Sequence, residues 1–223
     1  MNKNHLISKL EAFAPIDTQE KWDCSGWLIE YPNINDIKKV MFALTVTDTV
    51  FEQAKNLECD LIISHHPLFS VPIKYKDIQI YCAHTNMDKA IGGTTDTILE
   101  TLGLHYTKIE NEFVRIVELE QPIKVEDFAK KLKTISPALR YINNNSVKEI
   151  KTIGFCAGSG SDFIESTNTD AFVTGDIKYH TACETNKIVF DIGHFESEIL
   201  IKEKFKAILG IEGVMADEKT PFI

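Results

Sequence analysis

Three pairs of residues in this chain stand 110 positions apart. Asp60 precedes the apolar run LIIS and Asp170 precedes AFVT. His84 and His194 close the apolar runs in IYCAHTNMD and VFDIGHFESE, and four residues after each comes a carboxylate, Asp88 and Glu198. Three matches in one register point to two related halves, each with polar residues at the same place on the same kind of element. KKVMFALTVT, CDLIISHH and IQIYCAHT read as buried strands. DTVFEQAKNLE, with Thr47 or Asp48 as its N-cap, and TTDTILETLGL read as helices. Strand–helix alternation of this kind builds right-handed βαβ units and a mostly parallel sheet. The second half repeats it through IKTIGFCAG, SDFIESTN, DAFVTGD and KIVFDIGHFE. A helix over residues 3–14 opens the chain (Leu6, Leu10, Phe13), and SEILIKEKFKAILG closes it with helical spacing at Ile199, Ile201, Phe205 and Ile208. The expected architecture is two related α/β halves, residues 1–114 and 115–223, with mixed or mostly parallel sheets and flanking helices around a shared central cleft.

Bulk properties narrow the function classes. With 223 residues, 43% of them hydrophobic, the chain can bury a sizeable core. A net charge of −9 lacks the basic footprint of a strong nucleic-acid binder. No apolar stretch approaches the roughly 18 residues of a membrane span. MNKNHLISKLEAFAP has neither the apolar core nor the cleavage site of a secretory leader. Five scattered cysteines without a C-x-x-C fit a reduced, cytoplasmic protein.

In open α/β sheets, ligands bind beyond the carboxyl ends of the strands. That is where Ser64, His65, His66, His84, Asp88, Asp176, His180, Asp191, His194, Glu196 and Glu198 fall. Imidazoles mixed with carboxylates suit zinc, manganese, iron or nickel better than calcium or magnesium. His194 and Glu198 are spaced i, i+4, one face of a helix if a helix starts there. Each motif taken alone has a plainer reading. His65 and His66 in LIISHHPLFS can be one core and one exposed histidine, and His84 can simply end a strand. Glu196 and Glu198 can be an acidic helix start favoured by the dipole. Asp176 and His180, also i, i+4, leave ligand and structural roles equally open. Together the motifs favour a metal centre. His5 and His105 fit no cluster. A G-x-S-x-G nucleophile elbow and a P-loop are both missing. AGSGSD and IGGTTDTI each read as a tight turn or as an anion cradle.

DLIISHHPLF, AHTNMDKAIGGTTDTILETLGL, DAFVTGDIKYHTA and DIGHFESE, in this order, resemble the Nif-three-like proteins, the GTP cyclohydrolase I type 2 family. The resemblance runs from about residue 22 to the last helix. It implies two α/β halves around a dinuclear metal centre, assembled as a hexameric toroid. It also implies His65, His66, Asp88, His194 and Glu198 as ligands of two divalent ions (zinc, iron, manganese or nickel), with Glu198 as the bridge. If strand geometry persists through His65 and His66, the two diverge, one to each metal. His84 is then a neighbouring residue, and Asp176, His180, Glu196 or Glu198 are candidates for handling protons. The implied activity is hydrolysis, with metal-activated water attacking a nucleotide-like substrate such as the guanine ring of GTP. A regulatory or nucleic-acid-associated ring, or a metal storage or delivery protein, is the alternative; the acidic charge weighs against duplex binding. About 35 residues, 115 to 150, separate the halves, too few for an inserted domain, so this is a minimal form. Cys24 in WDCSGW departs from the asparagine more usual in relatives.

Overall fold

The computed structural model describes residues 1–222. Asn2 caps the first helix, α1 (Lys3–Phe13), its side chain accepting from the His5 N–H, and Leu6, Ile7 and Leu10 form the buried face. There follow β1 (Gly26–Ile29), β2 (Val40–Ala43), α2 (Asp48–Asn56), β3 (Leu61–Ser64), β4 (Gln79–Cys82) and the short α3 (Thr85–Lys89). Thr47 is the N-cap of α2, accepting from Val50 N, and Val50, Phe51 and Ala54 are its buried side. The chain then builds α4 (Thr94–Leu102), β5 (Lys108–Ile109), β6 (Arg115–Lys124), α5 (Val125–Leu132), β7 (Arg140–Ile142), β8 (Glu149–Phe155), β9 (Ala171–Thr174), α6 (Tyr179–Glu184), β10 (Ile188–Asp191) and α7 (His194–Glu198). It ends with α8 (Ile201–Leu209) and β11 (Val214–Met215).

Two units result. The first holds Met1–Gly93 and the chain from Ile201 onward; the second holds Thr94–Leu200. The crossings at 93/94 and 200/201 differ from the division at 114/115 that the sequence pattern suggests. The apolar stripe of α8 is covered by α1 and β2, and β11 adds beside β2, which returns the last segment to the first unit. SDFIESTN also differs from a helix-length element: it forms only a 3₁₀ turn, Ser161–Phe163.

In the first unit the sheet order is β1-β4-β3-β2-β11, parallel except for β1. In the second it is β5-β6-β8-β9-β10-β7, with β8, β9 and β10 parallel and antiparallel strands at both edges. Every residue of β2, β3, β4, β9 and β10 is buried, as expected of strands covered on both faces. Met41, Ile62 and Ile80 pack with Phe51 of α2 in the first core. Phe128, Phe155 and Phe190 pack with Ile98 and Leu99 of α4 in the second. Inside that unit Arg115 of β6, 1% exposed, donates from Nε to Asp96 of α4 at 3.0 Å.

The 110-residue echo is physical. Asp60 Oδ2 accepts the N–H groups of Lys38 (2.7 Å) and Lys39 (3.0 Å), just ahead of β2. Asp170 Oδ2 accepts those of Lys151 and Thr152, both at 2.8 Å, in β8. Each carboxylate, one residue before an inner strand of its sheet (β3 or β9), staples that strand to its neighbour. No helix among the described residues is long and apolar enough to cross a membrane.

Candidate metal centre

In the first unit, β3 and β4 end side by side, and the residues just past those ends carry imidazoles. The strand stops at Ser64, so face alternation does not extend through His65 and His66. Their N–H groups donate to Ala43 O (3.2 Å) and Leu44 O (2.8 Å), which keeps both residues alongside the end of β2. The Nδ1 contacts go opposite ways: His65 to Ala83 O beyond β4 (2.9 Å), His66 to Thr45 Oγ1 beyond β2 (2.7 Å). A carbonyl only accepts, so His65 carries its proton on Nδ1 and keeps a lone pair on Nε2 unless it is doubly protonated. That Nε2 is 3.4 Å from Asp88 Oδ1, and His65 is fully buried.

His84 is oriented by Asp23. Its Nδ1 donates to Asp23 Oδ1 at 2.9 Å, and the same carboxylate accepts from Cys24 N, Ser25 Oγ, Thr85 N and Thr85 Oγ1. Burial raises the Asp23 pKa, but the bonds from Thr85 and His84 outweigh it and hold the carboxyl at about 2. The ring centroids lie 5.1 Å (His65–His66), 5.2 Å (His65–His84) and 5.8 Å (His66–His84) apart. One nitrogen from each ring falls within 4.8 Å of the other two.

The second unit carries a different arrangement at the same strand ends. α7 begins at His194, so His194 and Glu198 do share a helix face, with Nε2 2.9 Å from Glu198 Oε2. His194 Nδ1 donates to Asp176 Oδ2 at 2.6 Å. Burial lowers the His194 pKa, but the two carboxylates outweigh it and raise it to about 9. Glu198, 4% exposed, packs on the turn in AGSGSD. A Cβ on Gly158 (φ +62°) would stand 2.3 Å from Glu198 Oε1, so only glycine permits that approach. Ser197 Oγ accepts from Gly158 N (2.9 Å) and donates to His194 O (2.7 Å), tying turn and helix together. AGSGSD is therefore a tight turn shaped around a carboxylate.

The remaining expectations sort plainly. Asp176 reaches His194, not His180, and is a positioning group; α6 starts only at Tyr179, so Asp176 and His180 are not a helical pair. His180 is exposed, its ring against Tyr179. Glu196 folds back over Gly193. Asp191 accepts from Arg140 Nε and Gly193 N, a structural role. His5 and His105 are exposed. Sequence reasoning missed Asp23 and Thr45; the turn-forming run WDCSGW was the only signal for the first, and nothing local marked the second.

The donor set fits divalent transition metals. An imidazole lone pair facing a carboxylate is matched by a shared proton or by a cation, and imidazole with carboxylate is the mixture such ions favour. The description Duf34/NIF3 (NGG1p interacting factor 3) matches residues 1–219. The chain belongs to the Duf34/NIF3 family. A "GTP cyclohydrolase 1 type 2 homolog" of Clostridium perfringens is 32% identical, over 100% of this chain and 99% of the relative. A Drosophila melanogaster "NIF3-like protein 1" is 27% identical over 92% of this chain and 80% of its own length. Among solved structures, reduced HcgD from Methanocaldococcus jannaschii superposes with a TM-score of 0.85, 24% identity and 98% coverage of both chains. A Bacillus cereus protein related to NIF3 gives 0.84 at 20% identity, covering 100% of this chain and 99% of that one. At such identities these two structures establish the Duf34/NIF3 fold and nothing finer.

Proposed function

We propose that this Duf34/NIF3 chain is a metal-dependent hydrolase. The family resemblance supports His65, His66, Asp88, His194 and Glu198 as the ligands of a dinuclear centre, and a nucleotide-like substrate. The observation that carries the reading is the His65–Asp88 contact. There a fully buried imidazole, its Nδ1 committed to a backbone carbonyl, presents Nε2 to a carboxylate oxygen at 3.4 Å. Two bound divalent ions would supply Lewis-acid polarisation of a substrate oxygen and a lowered pKa for water near neutral pH. The chain's own groups do the rest. Asp23 fixes the His84 tautomer so that its Nε2 keeps a lone pair for a proton beside the ligand histidines. Asp176 holds His194 through Nδ1, leaving Nε2 for coordination. Glu198, pressed on Gly158, has little freedom to swing away.

The names of the relatives support GTP as the first substrate to test. The family resemblance adds a homohexameric ring, and exposed Phe69 and Ile73 in the first unit supply apolar surface for self-association. Metal analysis joined to a hydrolase screen tests the proposal, with GTP and phosphoesters as substrates and wild type, His65→Ala and Glu198→Ala side by side. Bound metal and turnover in the wild type, both lost in the variants, is the expected result. Full metal occupancy in His65→Ala overturns the ligand assignment. Exchangeable metal with no turnover of any substrate moves the protein to storage or delivery.

A further inference from the structure

The stretch Ala43–Thr45 at the end of β2 is gripped from two sides, and only one grip belongs to the histidines. On one side its carbonyls accept the N–H groups of His65 and His66, and Thr45 Oγ1 meets His66 Nδ1 at 2.7 Å. On the other, the Glu218 carboxylate accepts the N–H of Leu44 at Oε2 and of Thr45 at Oε1, both at 2.8 Å. Glu218 is itself braced. Lys202 of α8 reaches its Oε2 at 3.2 Å and Ala216 O at 2.8 Å, and the two side chains are 10% and 7% exposed. Ala216 N donates to Phe42 O, and Asp217 exchanges two hydrogen bonds with the Gln53 side chain, so Glu218 arrives on an anchored segment.

We propose that Glu218 is a positioning residue for the metal-binding histidines, acting through Thr45 on His66. A fork of two charge-assisted bonds to consecutive N–H groups fixes the peptide plane from which the Thr45 hydroxyl projects. In the tautomer that leaves His66 Nε2 its lone pair, Nδ1–H donates to that hydroxyl, and the hydroxyl's place decides where Nε2 points. The Lys202 ammonium offsets the desolvation of a carboxylate buried for this purpose. The inference rests on the reading of His66 as a ligand, so the test has one readout that needs no metal.

The chelator-treated full chain is labelled with ¹⁵N, and His66 Nδ1 and Nε2 shifts are recorded by long-range ¹H–¹⁵N correlation. Zn²⁺ affinity is then measured by competition with a chromophoric chelator. Thr45→Val is expected to move the His66 shifts and weaken Zn²⁺ binding about 10- to 100-fold, the usual consequence of losing such a partner. Thr45→Ser should restore both. Glu218→Ala should move the same shifts in the same direction, and Glu218→Gln, which keeps the side-chain shape, should do so by less. Combining Thr45→Val with Glu218→Ala should add less than two-fold in affinity to the larger single effect, because both act through one contact. Should Glu218→Ala not fold, Glu218→Gln carries the comparison. His66 shifts unchanged in a folded Glu218 variant whose Tm has dropped overturn the proposal and leave Glu218 a structural clamp. A wild type that binds no Zn²⁺ overturns the metal reading instead, while the shifts still decide the role of Glu218.

Discussion

Asp23→Asn tests whether a carboxylate, rather than shape alone, holds the imidazole cluster of the first unit. Asp23 is buried under donors from Cys24, Ser25, His84 and Thr85, with its pKa drawn from 3.8 to about 2. Because the folded-state value is depressed, the unfolded chain binds the proton more readily. The stabilisation is therefore complete above about pH 4 and is lost as pH falls towards 2. At 1.36 kcal/mol per unit the full effect is about 2 kcal/mol, of which about 1 kcal/mol is gone by pH 3. The asparagine variant lacks this titration. It also turns an amide N–H₂ towards either His84 or the Thr85 N–H, which costs about 1–3 kcal/mol at neutral pH.

The assay is urea unfolding of chelator-treated protein, followed by tryptophan fluorescence. The two tryptophans, Trp22 and Trp27, both lie in the first unit and flank Asp23, so the signal reports that unit. Between pH 5 and pH 3 the stability gap between wild type and variant should narrow by about 1 kcal/mol. Parallel loss of stability in the two proteins over that interval would refute the reasoning. It would mean that Asp23 is not held ionised and that His84 is oriented by packing.

Three further perturbations follow from the same geometry. Asp96→Leu removes the carboxylate that Arg115 meets in the second core; thermal unfolding should show a loss of about 3–5 kcal/mol, and adding Arg115→Met should restore most of it. Gly158 and Gly103 both have φ +62°, yet an added Cβ meets Glu198 Oε1 at 2.3 Å in the first case and nothing within 4 Å in the second. Gly103→Ala should cost only the left-handed backbone term, about 1–2 kcal/mol, whereas Gly158→Ala should cost more in urea titrations and also weaken metal binding. Asp60→Ala and Asp170→Ala each release two backbone N–H groups at the same point of the repeat, so their losses in urea should agree within about 0.5 kcal/mol at about 1–2 kcal/mol each.

The parts of this fold legible in the sequence are those set by local periodicity. The central strands are buried on both faces and so appear as unbroken apolar runs; Thr47 and the spacing of Val50, Phe51 and Ala54 announce α2 from within a dozen residues. Partition between units was not legible. The stripe on α8 demands a partner, but Ile201, Phe205 and Leu209 fit a first-unit core as well as a second-unit one, and packing on α1 and β2 with the pairing of β11 to β2 decides. Candidate ligands could be picked out because imidazoles and carboxylates at strand ends are unusual in themselves. Their supports could not: Glu218 meets Leu44 across 174 positions, and a threonine after a strand looks like any other.

The repeat also explains why the two halves contribute unlike groups. At the offset of 110, Ser64, His65 and His66 correspond to Thr174, Gly175 and Asp176. No side chain fits at 175, where a Cβ would stand 2.6 Å from His194 N, so the counterpart of His65 has to be glycine. In the place of His66 stands Asp176, whose carboxylate takes Nδ1 of His194; the equivalent His84 needs Asp23, imported from ahead of β1, for the same bond. The first unit thus gathers three imidazoles with two carboxylates, Asp88 and Asp23, the second one imidazole between two carboxylates. A symmetric duplicate would offer two identical shells. Divergence at two positions after β3 and β9 is enough to give the first unit three imidazoles where the second has one. Asp176→His removes one of the two carboxylates that hold the His194 pKa near 9, so that pKa should fall, which an NMR titration of His194 in chelator-treated protein checks.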